Sequence, residues 1–90
     1  GLRLLREGQV ERALESFEAS AGADPRQPAT FANIAMIRRR LEQFDRAETA
    51  FRAAIRLAPE NGDFHAGLCN ALSMLGNHDD ALRSCEEAVR

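Results

Sequence analysis

Two histidines and two cysteines in the last third of the chain are the residues best suited to bind a metal. They are His65, Cys69, His78 and Cys85, with His65 and Cys69 one helical turn apart. Cysteine thiolates and neutral imidazoles are the ligands that zinc prefers. The closely spaced Cys and His pairs of zinc sites are missing, so ordinary buried thiols are favoured over both zinc and a disulfide. We therefore predict no metal and no cofactor.

No group of side chains predicts catalysis. The neighbouring carboxylates at positions 79–80 and 86–87 point in different directions on a helix, so they cannot flank one bond. The segment 62–67 contains two glycines but no lysine, and no strand precedes it, which excludes a phosphate-binding loop. We predict that these residues do not form an enzyme.

The composition predicts an alanine-rich helical protein. Of the 90 residues, 44% are hydrophobic, 6% are aromatic and sixteen are alanine. A net charge of −2, with acids interleaved among the arginines, argues against binding to nucleic acid. No apolar run reaches the length of a membrane span. Two cysteines expected to be reduced, and an opening segment too charged for a secretory signal, predict a cytoplasmic protein.

The chain repeats with a period of 34 residues. Residues 1–27 share seven identities with residues 35–61, and residues 28–56 share six with residues 62–90; chance gives roughly two in each comparison. The aligned positions include Ala13, Ala47 and Ala81, Phe17 and Phe51, and Pro25 and Pro59. One domain of three units is therefore predicted, with the first and last truncated: 1–27, 28–61 and 62–90.

Each unit is predicted to contain two helices. Apolar residues recur every three or four positions over residues 28–41 and again over residues 47–58, which is the spacing of one helix face. The breaks fall at residues 42–45 and 59–62. We expect Asp45 and Asp63 to cap the helices that follow these breaks.

The order of the landmark residues resembles the tetratricopeptide repeat (TPR) family, whose unit has 34 residues. The middle unit contains Phe31-x-x-Ile34-Ala35-x-x-Arg38, followed by Ala47-x-x-x-Phe51 and Pro59. Arg38 departs from the pattern, because the family prefers an aromatic residue there. The resemblance covers essentially the whole chain. It implies an all-α fold, a right-handed superhelical solenoid of antiparallel helix hairpins.

The resemblance also implies a binding site. In this family the first helices line a concave groove that holds a peptide or a helix of a partner protein. The matching positions are Leu2, Leu5, Arg6, Ala29, Ala32, Asn33, Met36, Arg39, Arg40, Asp63, Ala66, Gly67, Asn70, Ser73 and Met74. Of these we select Arg6, Asn33, Met36, Arg39, Arg40, Asn70 and Met74 as the ligand groove.

Arg6 and Arg40 are one period apart, so they are expected to lie in one row. Two guanidinium groups in a row can bind carboxylates through paired hydrogen bonds, which favours an acidic partner. The alternative is that residues 38–40 form a solvated, positively charged helix end. The family's carboxylate clamp for chaperone tails is not supported, because Asp63 and Gly67 stand where it uses Lys and Arg, and only Asn33 matches.

Two functions follow from the resemblance. The first is a non-catalytic module that binds a protein or peptide. The second is a scaffold arm that recruits substrates for a larger enzyme, such as a glycosyltransferase or a sulfotransferase. Neither a nucleic acid nor a membrane is an expected partner. End-to-end self-association is also predicted, because uncapped terminal units of a solenoid expose apolar side chains, here Leu2, Leu4, Leu68 and Leu72.

Overall fold

Five helices follow one another along the chain in the computed structural model, which describes the backbone of residues 2–89 and the side chains of residues 8–89. They are α1 (Leu2–Ala23), α2 (Pro28–Arg40), α3 (Phe44–Leu57), α4 (Gly62–Met74) and α5 (His78–Ala88). Each helix packs against the next, and α2 also contacts α4 directly. The predicted all-α solenoid of helix hairpins is confirmed. No helix within residues 2–89 combines the length and apolar character needed to cross a membrane.

Small residues determine how closely the helices approach. Ala35, Ala47, Ala54 and Ala71 are completely buried where the helices meet. A methyl group at such a contact brings two helix axes toward the short end of the usual 8–10 Å separation. Larger apolar side chains then fill the remaining space, as Leu72 does at 1% exposure. Alanines in the sequence therefore mark positions at which two helices contact each other.

Two equivalent turns end the first helices of the second and third units. The Gln43 N–H donates to the Arg38 carbonyl at 2.8 Å, and the Asn77 N–H donates to the Leu72 carbonyl at 2.9 Å. Glu42 and Gly76 occupy the same position in these turns with φ of 62° and 84°. Both are Schellman motifs, in which a left-handed residue allows the last helical carbonyls to be satisfied.

We expect Glu42→Gly to stabilise the protein by about 1 kcal/mol, because glycine adopts a left-handed conformation without the steric cost that a Cβ imposes. Gly76→Ala should have the opposite effect and lower the stability by a similar amount. Urea unfolding followed by circular dichroism measures both changes. Loss of stability in Glu42→Gly would mean that the glutamate side chain contributes more than its backbone conformation costs.

The helix starts differ from the predicted caps. The N-cap of α3 is Gln43 rather than Asp45, which lies inside the first turn. The N-cap of α4 is Asn61 rather than Asp63, and the Asn61 side chain accepts a hydrogen bond from the Asp63 N–H at 3.0 Å. In both cases the preceding turn is tighter than the sequence pattern implied, so the helix begins earlier and the aspartate becomes a first-turn residue.

The first unit differs from the other two in its backbone. Gly8 is one period from Glu42, yet α1 continues through it as a single 22-residue helix without a turn. Glycine permits the turn conformation but does not impose it. The side chains of Leu2, Leu4, Leu5 and Arg6 lie outside the part of the chain whose side chains the structure describes, so their predicted positions are not tested.

Arg38 replaces an aromatic side chain with a set of polar contacts. It is 15% exposed. Its Nη1 donates to Gln43 Oε1 at 2.6 Å, and its Nη2 lies 3.2 Å from Glu18 Oε1. The guanidinium therefore connects α2 to both the following turn and α1. The charge of this partly buried group is balanced by the Glu18 carboxylate.

Candidate functional site

A hollow between α2 and α4 lies on the side of the solenoid formed by the first helices. Its volume is about 610 Å³. The side chains around it are Ala29, Ala32, Asn33, Met36, Arg39, Phe51, Asp63, Phe64, Ala66, Gly67 and Asn70. Most of these belong to α2 and α4, and Phe51 reaches the hollow from α3. The surface combines an apolar floor with a few polar side chains, which is the usual composition of a ligand site.

Phe51 reaches the floor because Gly67 has no side chain. A Cβ added to Gly67 would overlap the Cε1 and Cζ atoms of the Phe51 ring. The ring is 3% exposed, so it fills the space between α3 and α4 and closes the hollow from below. At the equivalent contact of the previous unit, Asn33 replaces the glycine, and Phe17 is only half-buried.

A second hollow continues the first toward α1. Its volume is about 460 Å³. It is lined by Phe17, Asn33, Met36, Ile37, Arg39 and Arg40. Asn33, Met36 and Arg39 border both hollows, so the two form one surface. We refer to the residues of both hollows together as the first-helix groove.

The structure brings together most of the groove residues that were predicted. Asn33, Met36, Arg39, Arg40 and Asn70 line the first-helix groove. Met74 is exposed but borders neither hollow, since it is the last residue of α4. Arg6 lies outside the described side chains. The predicted row of Arg6 and Arg40 is therefore represented here by Arg40 alone, with Arg39 beside it.

The sequence pattern missed the aromatic floor. Phe17, Phe51 and Phe64 all border the groove, although none of them was among the groove positions that the resemblance implies. The available signal was Gly67, which lies mid-helix where a glycine is costly unless something approaches closely. The role of Gly67 depends on the ring of Phe51, which lies on another helix.

The polar groups of the groove are few and differ in charge. Asn33 and Asn70 supply amides that both donate and accept hydrogen bonds. Arg39 and Arg40 form no ion pair with any described side chain, so their guanidinium donors are available. Asp63 is the acidic residue of the lining. These groups can bind an extended peptide ligand whose backbone N–H and C=O groups are unpaired and which places a carboxylate near α2.

The two cysteines form a disulfide. Cys69 on α4 and Cys85 on α5 are joined, with their Cα atoms 5.2 Å apart, so the prediction of ordinary buried thiols is wrong. The two positions face each other across one hairpin, and Cys85 is exposed rather than buried. The separation of their Cα atoms is the usual one for a disulfide.

The histidines do not complete a metal site with the cysteines. His65 Nε2 donates to the Pro59 carbonyl at 2.8 Å, and His78 lies exposed at the start of α5. Among the described residues, no three histidine, cysteine or carboxylate side chains are grouped as metal ligands.

The exposed apolar residues of the third unit differ from those predicted. Leu68 and Leu72 are buried, because α4 is covered by α3 and α5. The large apolar residues exposed in the described part of this unit are Met74, Leu75, Leu82 and Val89, at 59%, 39%, 61% and 87%. Met74 and Leu75 lie at the end of α4, whereas Leu82 lies on α5 and Val89 caps it.

Comparison with known proteins identifies the repeat. A family model described as tetratricopeptide repeat matches residues 32–90. The second TPR of Spaghetti (RPAP3) bound to the HSP90 peptide SRMEEVD is 27% identical to this chain with a TM-score of 0.88, and the match covers 99% of this chain and 82% of that one. No curated protein sequence matches the chain significantly.

Two further solved structures share the fold at lower identity. The first TPR of Spaghetti (RPAP3) is 22% identical with a TM-score of 0.88, covering 99% of this chain and 71% of that one. MamA AMB-1 is 24% identical with a TM-score of 0.86, covering 98% and 48%. The chain thus spans about half the length of MamA.

Proposed function

Because the chain belongs to the tetratricopeptide repeat family, we propose that it is a protein-interaction module that binds an extended segment of a partner protein in the first-helix groove. The observation that carries the proposal is the continuity of this groove. Asn33, Met36 and Arg39 border both of its hollows, so one peptide can contact α1, α2 and α4 together.

The groove has the chemistry that an extended peptide needs. The amides of Asn33 and Asn70 can pair with backbone N–H and C=O groups, which have no partners in an extended chain. Apolar side chains of the peptide can pack on Phe64, which is only partly buried. Met36 is exposed at 52%, and its flexible thioether adapts to different partners.

We further propose that the bound segment is acidic. Arg39 and Arg40 offer guanidinium donors that match carboxylate geometry. The HSP90 peptide bound by the related Spaghetti domain is not assigned to this chain. Asp63 and Gly67 stand where the chaperone-tail clamp uses basic residues, and a carboxylate near Asp63 would be repelled.

The module is proposed to act without catalysis, and the likeness to a peptide-bound domain favours this function over an arm of a transferase.

Cytoplasmic location stays a prediction. The Cys69–Cys85 disulfide counts against it, because disulfides persist mainly in oxidising compartments. Self-association also stays a proposal, now through Leu75, Leu82 and Val89, whose exposed apolar surface a second copy could cover.

A positional-scanning library of immobilised heptapeptides tests the proposed function. We expect the wild-type protein to bind peptides carrying Asp or Glu at one or two positions, and to bind poorly when those positions hold Lys. Arg39→Glu should weaken binding to the acidic peptides at least about tenfold, since a charge-assisted pair becomes a like-charge contact. Binding is measured by fluorescence of the labelled protein on the array.

Arg26→Glu is the matched control, because Arg26 is exposed in the turn between α1 and α2 and borders neither hollow of the groove. Circular dichroism should be the same for both variants. An Arg39→Glu array profile identical to that of the wild-type protein would exclude the first-helix groove as the binding site.

A further inference from the structure

Two clefts on the opposite side of the solenoid are related by the repeat. The α1–α3 cleft is lined by Glu18, Ala21, Phe31, Ile34, Arg38, Arg46, Thr49, Ala50 and Ala53. The α3–α5 cleft is lined by Arg52, Ile55, Arg56, Pro59, His65, Leu68, Arg83, Ser84 and Glu87. Seven lining positions coincide after a shift of 34 residues. The side chains of the two clefts can therefore be compared position by position.

The α3–α5 cleft is much the larger of the two. Its volume is about 620 Å³, against about 350 Å³ for the α1–α3 cleft. At the position where Phe31 borders the smaller cleft, the larger one has His65, whose ring is smaller. Because His65 Nε2 donates to the Pro59 carbonyl, the imidazole is held by this bond, with its Nδ1 still able to form another.

The charges of the clefts differ as well. Arg52 and Arg83 in the larger cleft replace Glu18 and Thr49 in the smaller one, and Arg56 adds a third guanidinium. In the smaller cleft the guanidinium of Arg38 is already bound by Glu18 and Gln43.

The arginines of the larger cleft retain free donors. Arg52 uses its Nε for Glu48 at 2.8 Å, and Arg83 Nη1 lies 3.9 Å from Asp80, which is beyond hydrogen-bond distance. Arg56 forms no ion pair with any described side chain. Glu87 is the carboxylate among the described lining residues. Glu48 and Asp80 lie outside the lining, beside Arg52 and Arg83.

The cleft also has an apolar wall. Ile55, Pro59 and Leu68 supply it, between the arginines of α3 and those of α5. His65 and Leu68 lie on the face of α4 opposite to Gly67 and Asn70, as the 3.6-residue period of the helix requires. A ligand in this cleft would therefore not compete with a peptide in the first-helix groove.

We propose that the α3–α5 cleft binds an oxyanion carried on a small apolar group. The guanidinium groups of Arg52, Arg56 and Arg83 recognise the oxyanion, since planar paired donors match carboxylates and phosphates. The apolar body of the ligand packs on Ile55 and Leu68, in the space that His65 leaves open. Carboxylates and phosphate esters share this chemistry, and the test separates them.

Titration of ¹⁵N-labelled protein with phenyl phosphate, benzoate and inorganic phosphate, at constant ionic strength, tests the proposal. Saturable shifts are expected for the backbone amides of Ile55, His65 and Ser84 with phenyl phosphate or benzoate. The tighter of the two identifies the preferred oxyanion. Inorganic phosphate should bind more weakly, because it has no apolar body.

Three variants distinguish the site from general charge attraction. Arg56→Gln should weaken binding of the tighter probe about tenfold, the loss of one charge-assisted contact. His65→Phe should also weaken it, because a larger ring at this position narrows the cleft, as Phe31 does in the α1–α3 cleft. Arg46→Gln removes an arginine of the same helix that borders the α1–α3 cleft, and it should leave binding unchanged. Equal weakening by Arg56→Gln and Arg46→Gln, or no saturable shift with either organic probe, would overturn the proposal.

Discussion

Gly67→Ala is expected to destabilise the protein by up to about 2 kcal/mol, although alanine favours a helix interior over glycine. On propensity alone the substitution should stabilise α4 by about 1 kcal/mol. The new Cβ, however, would overlap the ring of Phe51, which is packed between α3 and α4. Overpacking of a filled core costs about 1–3 kcal/mol. The steric effect is therefore expected to reverse the sign of the helical one.

Gly8→Ala is the matched control, because Gly8 also lies within a helix and nothing is within 4 Å of the position that its Cβ would occupy. It should stabilise the protein by up to about 1 kcal/mol. Urea unfolding at equilibrium gives both values. If Gly67→Ala were as stabilising as Gly8→Ala, the Phe51 ring would not be held against α4, and the floor of the first-helix groove would have to be assigned to other side chains.

Reduction of the Cys69–Cys85 disulfide is expected to lower the free energy of unfolding by about 3 kcal/mol. The bond joins positions 16 residues apart, and cross-linking a loop of this size restricts the unfolded chain by about that amount. Because Cys85 is exposed, a phosphine reductant should reach the bond without prior unfolding. Unfolding curves with and without reductant measure the difference.

Cys85→Ser is the matched variant for this prediction. It removes the bond at the exposed partner, so it should resemble the reduced wild-type protein and should not respond to reductant. Alkylation followed by mass spectrometry counts free thiols in each sample. Two alkylated thiols in the native protein under air oxidation, together with no change on adding reductant, would contradict the disulfide and restore the prediction of ordinary thiols.

The loss of stability should be concentrated in the third unit. The disulfide connects α4 to α5, and α5 has no other helix packed against it within the described residues. Opening of this hairpin would expose Leu72, which is otherwise buried. It would also release one wall of the α3–α5 cleft. Reduction of the disulfide is therefore expected to weaken oxyanion binding as well as lower the stability.

Much of the fold could be predicted from the residue pattern. Helix α2 was predicted over residues 28–41 and is found at Pro28–Arg40, because Pro28 is suited to the first turn and the apolar period ends at Leu41. The capping aspartates were misplaced because Asp45 and Asp63 satisfy the same short-range pattern two residues after the observed N-caps. The Schellman turn that precedes α3 depends on Glu42 adopting φ of 62°, which residue type alone does not predict.

Only part of the candidate groove could be predicted from the sequence. Asn33, Met36 and Arg39 were found because the 34-residue period assigns each residue to a helix face. Phe51 was missed because its role depends on Gly67, a residue on the next helix.

The order and spacing of the residues were sufficient to predict the all-α repeat fold and the helices of the second and third units, since these depend on short-range periodicity. Three features required the packed chain. These are the continuation of α1 through Gly8, the pairing of Cys69 with Cys85, and the difference between the two clefts on the side of the second helices. The disulfide and the difference between the clefts depend on distances between side chains far apart in sequence, about which a repeat pattern contains no information. The continuation of α1 depends on the backbone conformation of Gly8, which the residue type alone leaves open.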